Sequence, residues 1–469
     1  MKICIIYLKY SEEAPKNQPS VKVVAQNYGI YPSVTLGYVA AIAEKAGHNV
    51  KFIDANALNL SNQDVIKEIN LFKPNILAFT ITTYLFHQTI EAIREIKQKT
   101  NTPVLVGGVH VSLYPKETLT YKEIDYALIG EAETCLPEFL EALEKNQDFS
   151  KVKSLCYKEN NEIKINELSI QEMDINKVLF PARHLFPNEK YYSFISQRKN
   201  FTGMITSRGC PFRCIYCEQG SKKFRFADAK RVVEEFTECY NNYKIREIDI
   251  FDSSFTVKKD RVLDICKELI SNKIDISWSI RSRVDCIDKE MLKELKKAGC
   301  MRVYYGIESG VPRILETLRK ETNIQRIEET IKETKMAGIN TFGYFMLGCP
   351  GDTTETIKKT IEFAKKLKLD YAQFSKVSPL PGTELYDKLL KPKLKEDYWS
   401  KYILNKNYEY NLPRPDCNLS EEEIQKLVET AYKEFYFRPK YITKAILRIK
   451  SFNELKRSTK AVFEMLTKF

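Results

Sequence analysis

Three cysteines, Cys210, Cys214 and Cys217, stand close together in the chain at a C-x3-C-x2-C spacing. Thiolates on so short a loop can face one inorganic cluster, and an iron-sulfur cube favours soft sulfur ligands. Three protein ligands would leave the fourth iron of a cube open, and an open iron can bind a substrate or a cofactor. The spacing therefore indicates an iron-sulfur site with a free coordination position.

Two other interpretations of the cysteines stay open at this point. Structural zinc takes four ligands, usually in paired C-x2-C or C…H motifs, and no second pair follows at a finger-like distance. The thiols would alternatively be ordinary core residues, because cysteine is among the most often buried residue types. A Gly-Cys-Pro turn with an arginine on either side is unusual for a core segment, which favours the cluster.

The segment from Ser207 to Cys217 resembles the cluster-binding loop of the radical S-adenosylmethionine (SAM) enzymes. Tyr216, directly before the third cysteine, also fits that family. The resemblance implies a 4Fe-4S cluster whose metal ligands are the three cysteines, with SAM bound to the open iron. The cysteines would then be the catalytic centre of a radical enzyme.

The segments around the cysteine loop predict a barrel. Between residues 201 and 390, six predicted strands alternate with helices, which indicates an open, partial (β/α)6 barrel rather than the full eight strands. In such barrels the functional residues lie at the carboxyl ends of the strands. The candidates there are the cysteine loop, Asp252, Arg281, Arg283, Glu308, Ser309 and the turn at Gly348 to Gly351.

Five blocks in this region match radical SAM blocks in the same order. They begin at Asp252, Arg283, Gly306, Leu347 and Pro381. The resemblance implies SAM contacts from Tyr216, Asp252, Arg283, Glu308, Ser309, Gly348 and Gly351. An Arg-Glu pair in a barrel mouth is alternatively a structural ion pair.

The first 150 residues also alternate strands with helices, which predicts an α/β, doubly wound, Rossmann-like sheet. Such sheets bind ligands outside the carboxyl ends of their strands. Four loops at those ends carry Pro32 and Ser33, Thr80 to Tyr84, Gly107 to His110 and Gly130 to Thr134. Adjacent glycines permit close approach of the backbone to a bulky ligand.

This first domain resembles the cobalamin-binding domain that precedes the radical domain in class B radical SAM enzymes. The resemblance implies a cobalamin site at Gly107, Gly108, His110, Gly130 and Glu131. The D-x-H-x-x-G signature, by which some cobalamin proteins supply a histidine to cobalt, is absent. His110 is therefore expected near the tail of the cofactor and not on the metal. A domain that keeps the fold without the cofactor is the alternative.

Two further segments complete the predicted organisation. Residues 151–200 read as a linker that opens with a hairpin turning at Asn160 and Asn161. Residues 391–469 predict a mostly helical C-terminal region, in which Ser420 caps a helix. Beyond Pro439, apolar residues recur at helical spacing between lysines and arginines. Such a basic amphipathic helix either packs on the barrel, which we favour, or lies on an anionic membrane.

Composition sets the remaining bounds. A chain of 469 residues, 43% hydrophobic, can bury large cores and predicts two or three domains. Its twelve cysteines include no disulfide-like framework, which favours a reducing compartment. The start of the chain lacks a signal-peptide pattern, and no apolar run reaches the roughly 18 residues of a membrane span. We therefore expect a cytoplasmic protein, with contact at the inner face of the membrane through the basic helix as a further expectation.

Together these resemblances imply a cobalamin-dependent radical SAM enzyme. The reduced cluster would cleave SAM, the resulting 5′-deoxyadenosyl radical would take a hydrogen from an unactivated C–H bond, and methylcobalamin would deliver a methyl group to the carbon. The aromatic run that begins at Phe435 resembles family members that act on hopanoids and porphyrins, which implies a lipophilic small-molecule substrate. The family further implies a low-potential electron donor such as flavodoxin or ferredoxin, and no nucleic-acid partner.

Methyl transfer has three alternatives. One is radical cyclisation, coupling or rearrangement, and another is a binding module that holds cobalamin and a cluster without turnover. The third, a methylthiotransferase acting on RNA, is disfavoured because the N-terminal domain lacks a second cysteine triad.

Overall fold

The computed structural model describes residues 1–9, 29–169, 173–219, 222–408 and 412–448. These residues divide into two compact units. The first contains the described residues among 1–19, 30–191 and 396–410, and the second contains those among 20–29, 192–395 and 411–469. The C-terminal region is thus shared between the two units.

The described part of the first unit is built on one seven-stranded sheet. Its five parallel strands, in spatial order, are Asn49–Asp54, Lys2–Tyr7, Ile76–Thr80, Val104–Gly107 and Tyr126–Leu128. The antiparallel hairpin Leu155–Glu159 and Glu162–Ile165 extends the last edge. Strand order reverses beside Lys2–Tyr7, which is the topological switch of a doubly wound sheet. The predicted Rossmann-like fold is confirmed.

Helices cover this sheet because its strands are apolar on both faces, as in Lys2–Tyr7, where four successive residues are buried. They are Val34–Lys45, Asn62–Phe72, Phe86–Lys97, Val109–Leu113, Pro115–Leu119, Ala132–Glu144 and Tyr398–Leu404. Ser61 starts one of them with a capping box to Asp64. The hairpin turns at Asn160 and Asn161, whose φ angles of 51° and 66° suit asparagine.

In the second unit, the principal described sheet has six parallel strands in chain order, curled into a half-barrel. They are Phe201–Met204, Glu247–Ile250, Ser277–Ser282, Cys300–Glu308, Asn340–Leu347 and Tyr371–Lys376. The helices between them are Ala229–Asn242, Lys259–Ser271, Lys289–Lys297, Pro312–Thr317, Ile324–Met336 and Thr354–Lys366. The predicted partial barrel is confirmed.

Side chains alternate between the two faces of the curled sheet. Tyr305 bonds Thr334 of an outer helix at 2.7 Å, and Phe374 packs against Tyr432 of another. Tyr304, one residue before Tyr305, instead packs across the sheet, where it contacts neighbouring strands. The concave face therefore carries the other half of each strand's side chains.

The tail of the second unit packs on the last strand. Ser420 caps the helix Glu421–Tyr436 as predicted, and a further helix spans Pro439–Arg448. The Tyr441 hydroxyl donates to the Asp370 carbonyl at 2.8 Å, and Lys444 Nζ lies 3.4 Å from the Asp370 carboxylate. Tyr441 and Lys444 thus contact the barrel, whereas Ile442, on the predicted apolar face, is 41% exposed. The predicted apolar positions Ile449 and Phe452 lie outside the described residues. Among the described helices, none has the length and hydropathy of a membrane span.

Candidate functional sites

The cysteine loop keeps its three thiols partly accessible. All twelve cysteines lie in the described ranges, and seven of the other nine are buried. Cys210, Cys214 and Cys217 are instead half-buried, and none of the three is in a disulfide. Gly209 precedes them with φ +75°, and a Cβ there would lie 2.2 Å from the Lys223 carbonyl oxygen. Only glycine fits this turn, which brings the first cysteine out of the strand and into the loop.

Backbone bonds and one arginine anchor the loop. The amide of Ile215 donates to the Leu318 carbonyl at 3.3 Å, and its carbonyl accepts from Leu385 at 2.8 Å. Arg283 lies with its guanidinium 3.9 Å from the centre of the Phe212 ring and Nη1 3.6 Å from Cys214 Sγ. The sequence predicted a SAM contact for this arginine, and the structure places it against a cysteine of the loop.

The donor chemistry of the loop fits an iron-sulfur cube. Three thiols outside any disulfide, on one backbone-anchored turn, supply soft ligands, and a guanidinium beside them offsets thiolate charge. Burial raises the pKa of Cys210, so a bound metal is what would hold it as a thiolate. Within the described ranges, no group of three or more His, Cys, Asp or Glu side chains is arranged so that it could hold a single metal ion. A cube differs from a single ion because each cysteine binds its own iron.

A buried triad stands next to the loop. The Tyr216 hydroxyl donates to Glu308 Oε1 at 2.9 Å, and Lys320 Nζ donates to the same oxygen at 2.9 Å. Glu308 ends its strand with φ 68°, a left-handed conformation that is strained for a glutamate. A Cβ on Gly306 would lie 2.5 Å from Glu308 Oε1, so glycine makes room for the triad. Burial, and then the carboxylate, raise the pKa of Tyr216.

Lys320 was missed by the sequence analysis. It belongs to no motif, and a lysine in a loop normally faces solvent. Its partner Glu308 is twelve residues away, and only the return of the chain after Pro312–Thr317 brings them together.

Two predicted SAM contacts are bonded within the protein. Asp252 is fully buried and accepts from the Thr206 amide at 2.6 Å and from the Ser207 amide at 3.0 Å. It thereby fixes the strand end that leads into the cysteine loop. Ser309 is 3.1 Å from Thr360 Oγ1 and also accepts from the Val311 amide. The structure places both as supports for neighbouring backbone.

The turn from Gly348 to Gly351 is held by one carboxylate. Asp352 Oδ2 accepts from the Gly348 amide at 3.1 Å and from the Cys349 amide at 2.8 Å. Both glycines have positive φ, +80° and +83°. Cys349 between them is fully buried beside this tight turn.

The predicted cobalamin loops of the first unit are joined by Ser112. Its hydroxyl donates to the Gly108 carbonyl at 3.1 Å and accepts from the Gly130 amide at 2.9 Å. Gly108 has φ +114°, and a Cβ there would lie 2.8 Å from the Ile81 carbonyl oxygen. Gly130 has φ +82°, and no described atom lies within 4 Å of its Cβ position. Glu131 is the N-cap residue of the helix Ala132–Glu144. Gly107 is the last residue of the strand Val104–Gly107.

His110 is the most unusual group in these loops. The ring is fully buried, Nδ1 lies 3.1 Å from Thr83 Oγ1, and Nε2 has no hydrogen-bond partner among the described residues. Burial lowers the pKa of His110 to about 4, so the ring is neutral at neutral pH. A buried polar atom without a hydrogen-bond partner costs free energy. Nε2 of His110 is therefore a candidate contact for a polar ligand atom. The loops therefore fit a cofactor that supplies hydrogen-bonding groups against closely packed backbone.

These two sites match two known domains. The B12 binding domain family matches residues 21–140, and the Radical SAM superfamily matches residues 204–364. A B12-binding domain followed by a radical SAM domain defines the class B radical SAM enzymes, whose cofactors are a 4Fe-4S cluster, SAM and cobalamin.

Relatives place the chain more narrowly. It is 34% identical over 443 residues to an uncharacterized methyltransferase of Pyrococcus horikoshii, covering 92% of this chain and 93% of the relative. It is 27% identical to the anaerobic magnesium-protoporphyrin IX monomethyl ester cyclase of Cereibacter sphaeroides, covering 88% and 68%. The fold is similar to that of the radical SAM methyltransferase TsrM from Kitasatospora setae, with a TM-score of 0.73, 15% identity, and coverage of 98% and 99%. The chain belongs to the cobalamin-dependent radical SAM methyltransferase family.

Proposed function

We propose that this enzyme transfers a methyl group to an unactivated carbon of a flat, lipophilic small molecule. The observation that carries the proposal is the concave face of the half-barrel. A barrel core is normally filled by branched aliphatic side chains, whereas this face is lined with aromatic rings and paired charges.

The aromatic part of this face comes from three adjacent strands. The rings of Tyr304 and Tyr344 stack 6.0 Å apart at 14°, and Phe342 packs 4.9 Å from Tyr304. Tyr344 and Tyr371 remain partly exposed. Tyr304 and Phe342 are buried together with Ile195, so the accessible part of this aromatic surface is its edge at Tyr344 and Tyr371. Aromatic rings favour planar, conjugated partners over flexible polar ones.

The charged part of the face is neutralised internally. Arg281 Nη1 donates to Asp249 at 2.9 Å, while its guanidinium lies 4.4 Å from the centre of the Phe251 ring. Lys320 is likewise paired with Glu308. Because Arg281 and Lys320 each have a carboxylate partner, these two cations add little net charge to the face.

The relatives support the same substrate class. The Cereibacter relative is a cyclase named for its magnesium porphyrin ester. We propose the same substrate class for this chain, namely a tetrapyrrole or a similarly flat conjugated molecule. When bound, the cofactors supply SAM cleavage, hydrogen abstraction and the methyl group, while the protein positions the substrate and excludes water.

Two partner proposals follow. A low-potential electron donor such as flavodoxin or ferredoxin would reduce the cluster. A peripheral membrane contact would use the apolar face of the basic helix, of which Ile442 is 41% exposed, although the neighbouring Tyr441 is bonded to the barrel.

A second candidate reaction is ring closure without methyl transfer, which the Cereibacter cyclase favours. One experiment separates the two. The reconstituted enzyme is incubated with SAM that carries a trideuterated methyl group, a reductant and magnesium protoporphyrin IX monomethyl ester, and the products are analysed by mass spectrometry. A product with a trideuterated methyl group supports methyl transfer. An unlabelled product that has lost hydrogen, formed with 5′-deoxyadenosine, would move the assignment to cyclisation. Protein that makes neither product nor 5′-deoxyadenosine from any conjugated substrate would contradict both.

A further inference from the structure

One segment that follows the barrel in sequence is built into the first unit. Residues 396–408, here called the strap, pack with the cobalamin-binding fold. The strap contains the helix Tyr398–Leu404, which Asp397 caps by accepting from the Trp399 amide at 3.1 Å. Trp399 and Ile403 are fully buried. A helix of seven residues is unstable alone, so packing on the first unit must hold it.

Hydrogen bonds join the strap to the helices that follow two of the cobalamin loops. The Tyr114 hydroxyl donates to Asp397 Oδ1 at 3.0 Å, and Ser400 Oγ donates to Glu117 at 2.9 Å. His87 Nε2 lies 2.5 Å from the Tyr402 carbonyl oxygen and donates to it. The Tyr121 hydroxyl donates to the next strap carbonyl, that of Ile403.

The same contacts enclose His110. Its ring lies 5.0 Å from Phe86 and 5.7 Å from Tyr114, and Tyr114 is bonded to the strap. Phe86 in turn packs 5.4 Å from Tyr121, which is also bonded to the strap. The strap thus supports the rings that surround the buried, unpartnered Nε2 of His110.

The strap also contacts the Thr80–Tyr84 loop, which carries Thr83, the hydrogen-bond neighbour of His110. Trp399 packs edge-on against Tyr84 at 6.0 Å. Tyr84 directly follows Thr83, whose hydroxyl lies 3.1 Å from His110 Nδ1. Trp399 is therefore linked through Tyr84 to Thr83, and through Thr83 to His110.

We propose that the strap is a structural part of the cobalamin site, in which Trp399 is a positioning residue that fixes the Thr80–Tyr84 loop and His110 for the cofactor. The chain downstream of the radical domain would thereby contribute to cobalamin binding. This inference rests on the cofactor and does not depend on which reaction the enzyme catalyses.

The first test compares two substitutions in the same short helix. Trp399→Ala removes a buried ring, whereas Leu404→Ala shortens an exposed aliphatic side chain, since Leu404 is 49% exposed. Each protein is loaded anaerobically with iron, sulfide and hydroxocobalamin, and the cobalamin dissociation constant and iron content are measured. We expect Trp399→Ala to bind cobalamin about tenfold more weakly at unchanged iron content, because only the first unit is loosened. Leu404→Ala should bind as wild type.

Folded Trp399→Ala protein with wild-type iron and a cobalamin dissociation constant within about twofold of wild type would overturn the proposal. If that variant does not fold, Tyr114→Phe provides the same test, because it removes only the hydroxyl that donates to Asp397. Faster cobalamin release from Tyr114→Phe at full iron content would support the proposal, and an unchanged release rate would overturn it.

A second test uses wild-type protein and needs no substitution. Lys401 and Lys406 are exposed trypsin sites on the strap, with side chains 45% and 63% exposed. If the docked strap favours cobalamin, bound cobalamin must favour the docked strap by the same factor. Trypsin should therefore cut at these lysines more slowly in the cobalamin-loaded protein. Equal cleavage rates with and without cobalamin would contradict the proposal.

Discussion

Lys320 Nζ and the Tyr216 hydroxyl both donate to one oxygen, Glu308 Oε1, each at 2.9 Å. The side chains of Lys320 and Glu308 are only 6% and 8% exposed. Such a pair adds little net stability, yet removing one partner leaves an uncompensated buried charge. The triad therefore makes Glu308, at the end of its strand, and the cysteine loop, which contains Tyr216, depend on each other.

We expect Lys320→Met to lower the free energy of unfolding by about 3 kcal/mol, because Glu308 would lose its counter-charge in a buried site. Urea unfolding of the cluster-free protein measures this loss. Lys297→Met is the matched control, since its pair with Glu294 is half-exposed and worth less than about 1 kcal/mol. Adding Glu308→Gln to Lys320→Met should restore part of the stability. Equal losses for Lys320→Met and the control would show that the pair is not coupled.

Cys214→Ala should abolish most iron incorporation while leaving the fold intact, because the thiol is half-buried and serves the loop and not the core. Cys417→Ala is the control, as Cys417 is also half-buried and free. Iron and sulfide are assayed after anaerobic reconstitution and desalting, with circular dichroism as the check on folding. Full iron content in Cys214→Ala would remove this cysteine from the ligand set.

Gly108→Ala and Gly47→Ala separate local crowding from backbone strain. Both glycines have positive φ, +114° and +85°, so each alanine carries about 1 kcal/mol of backbone cost. Only at position 108 would the new Cβ meet backbone, the Ile81 carbonyl oxygen at 2.8 Å. We expect Gly108→Ala to lose cobalamin on desalting and Gly47→Ala to retain it. Retention by both variants would place the cofactor away from this loop.

The burial of His110 predicts a pH dependence of stability. Its pKa falls from 6.5 to about 4 on folding, so the unfolded chain binds more protons between these values. Stability from this residue is complete above pH 6.5 and is lost as the pH falls toward 4, by about 3 kcal/mol. His110→Gln should flatten the decline in the free energy of unfolding over that range. The difference between urea unfolding of variant and wild type at several pH values measures this, and parallel curves would mean that the ring is protonated in the folded protein.

Long amphipathic and apolar segments were predictable from the sequence. Strands such as Lys2–Tyr7 and Asn340–Leu347 are marked by apolar runs, and helices such as Glu421–Tyr436 by a Ser cap with a glutamate three residues on. The short helices Val109–Leu113 and Pro115–Leu119 were missed, because five residues are too few for a helical period to appear.

Contacts between distant residues were not predictable from local patterns. Lys320 contacts Glu308, and Tyr402 contacts His87 across 315 residues. Both contacts depend on the tertiary fold, and no local sequence spacing predicts them. The motif positions Asp252 and Ser309 were expected to contact SAM, and the structure shows the backbone groups that they hold. A motif gives the position of a residue, whereas its bonding partners depend on the fold.

The most direct measurement for the whole account is cofactor content after anaerobic reconstitution with iron, sulfide and hydroxocobalamin, followed by desalting. The account predicts about four irons and about one cobalamin per chain, with cobalamin identified by its absorption spectrum. The same iron content without retained cobalamin would contradict it, because the loops around Gly108 and His110 would then keep a fold whose cofactor they do not bind.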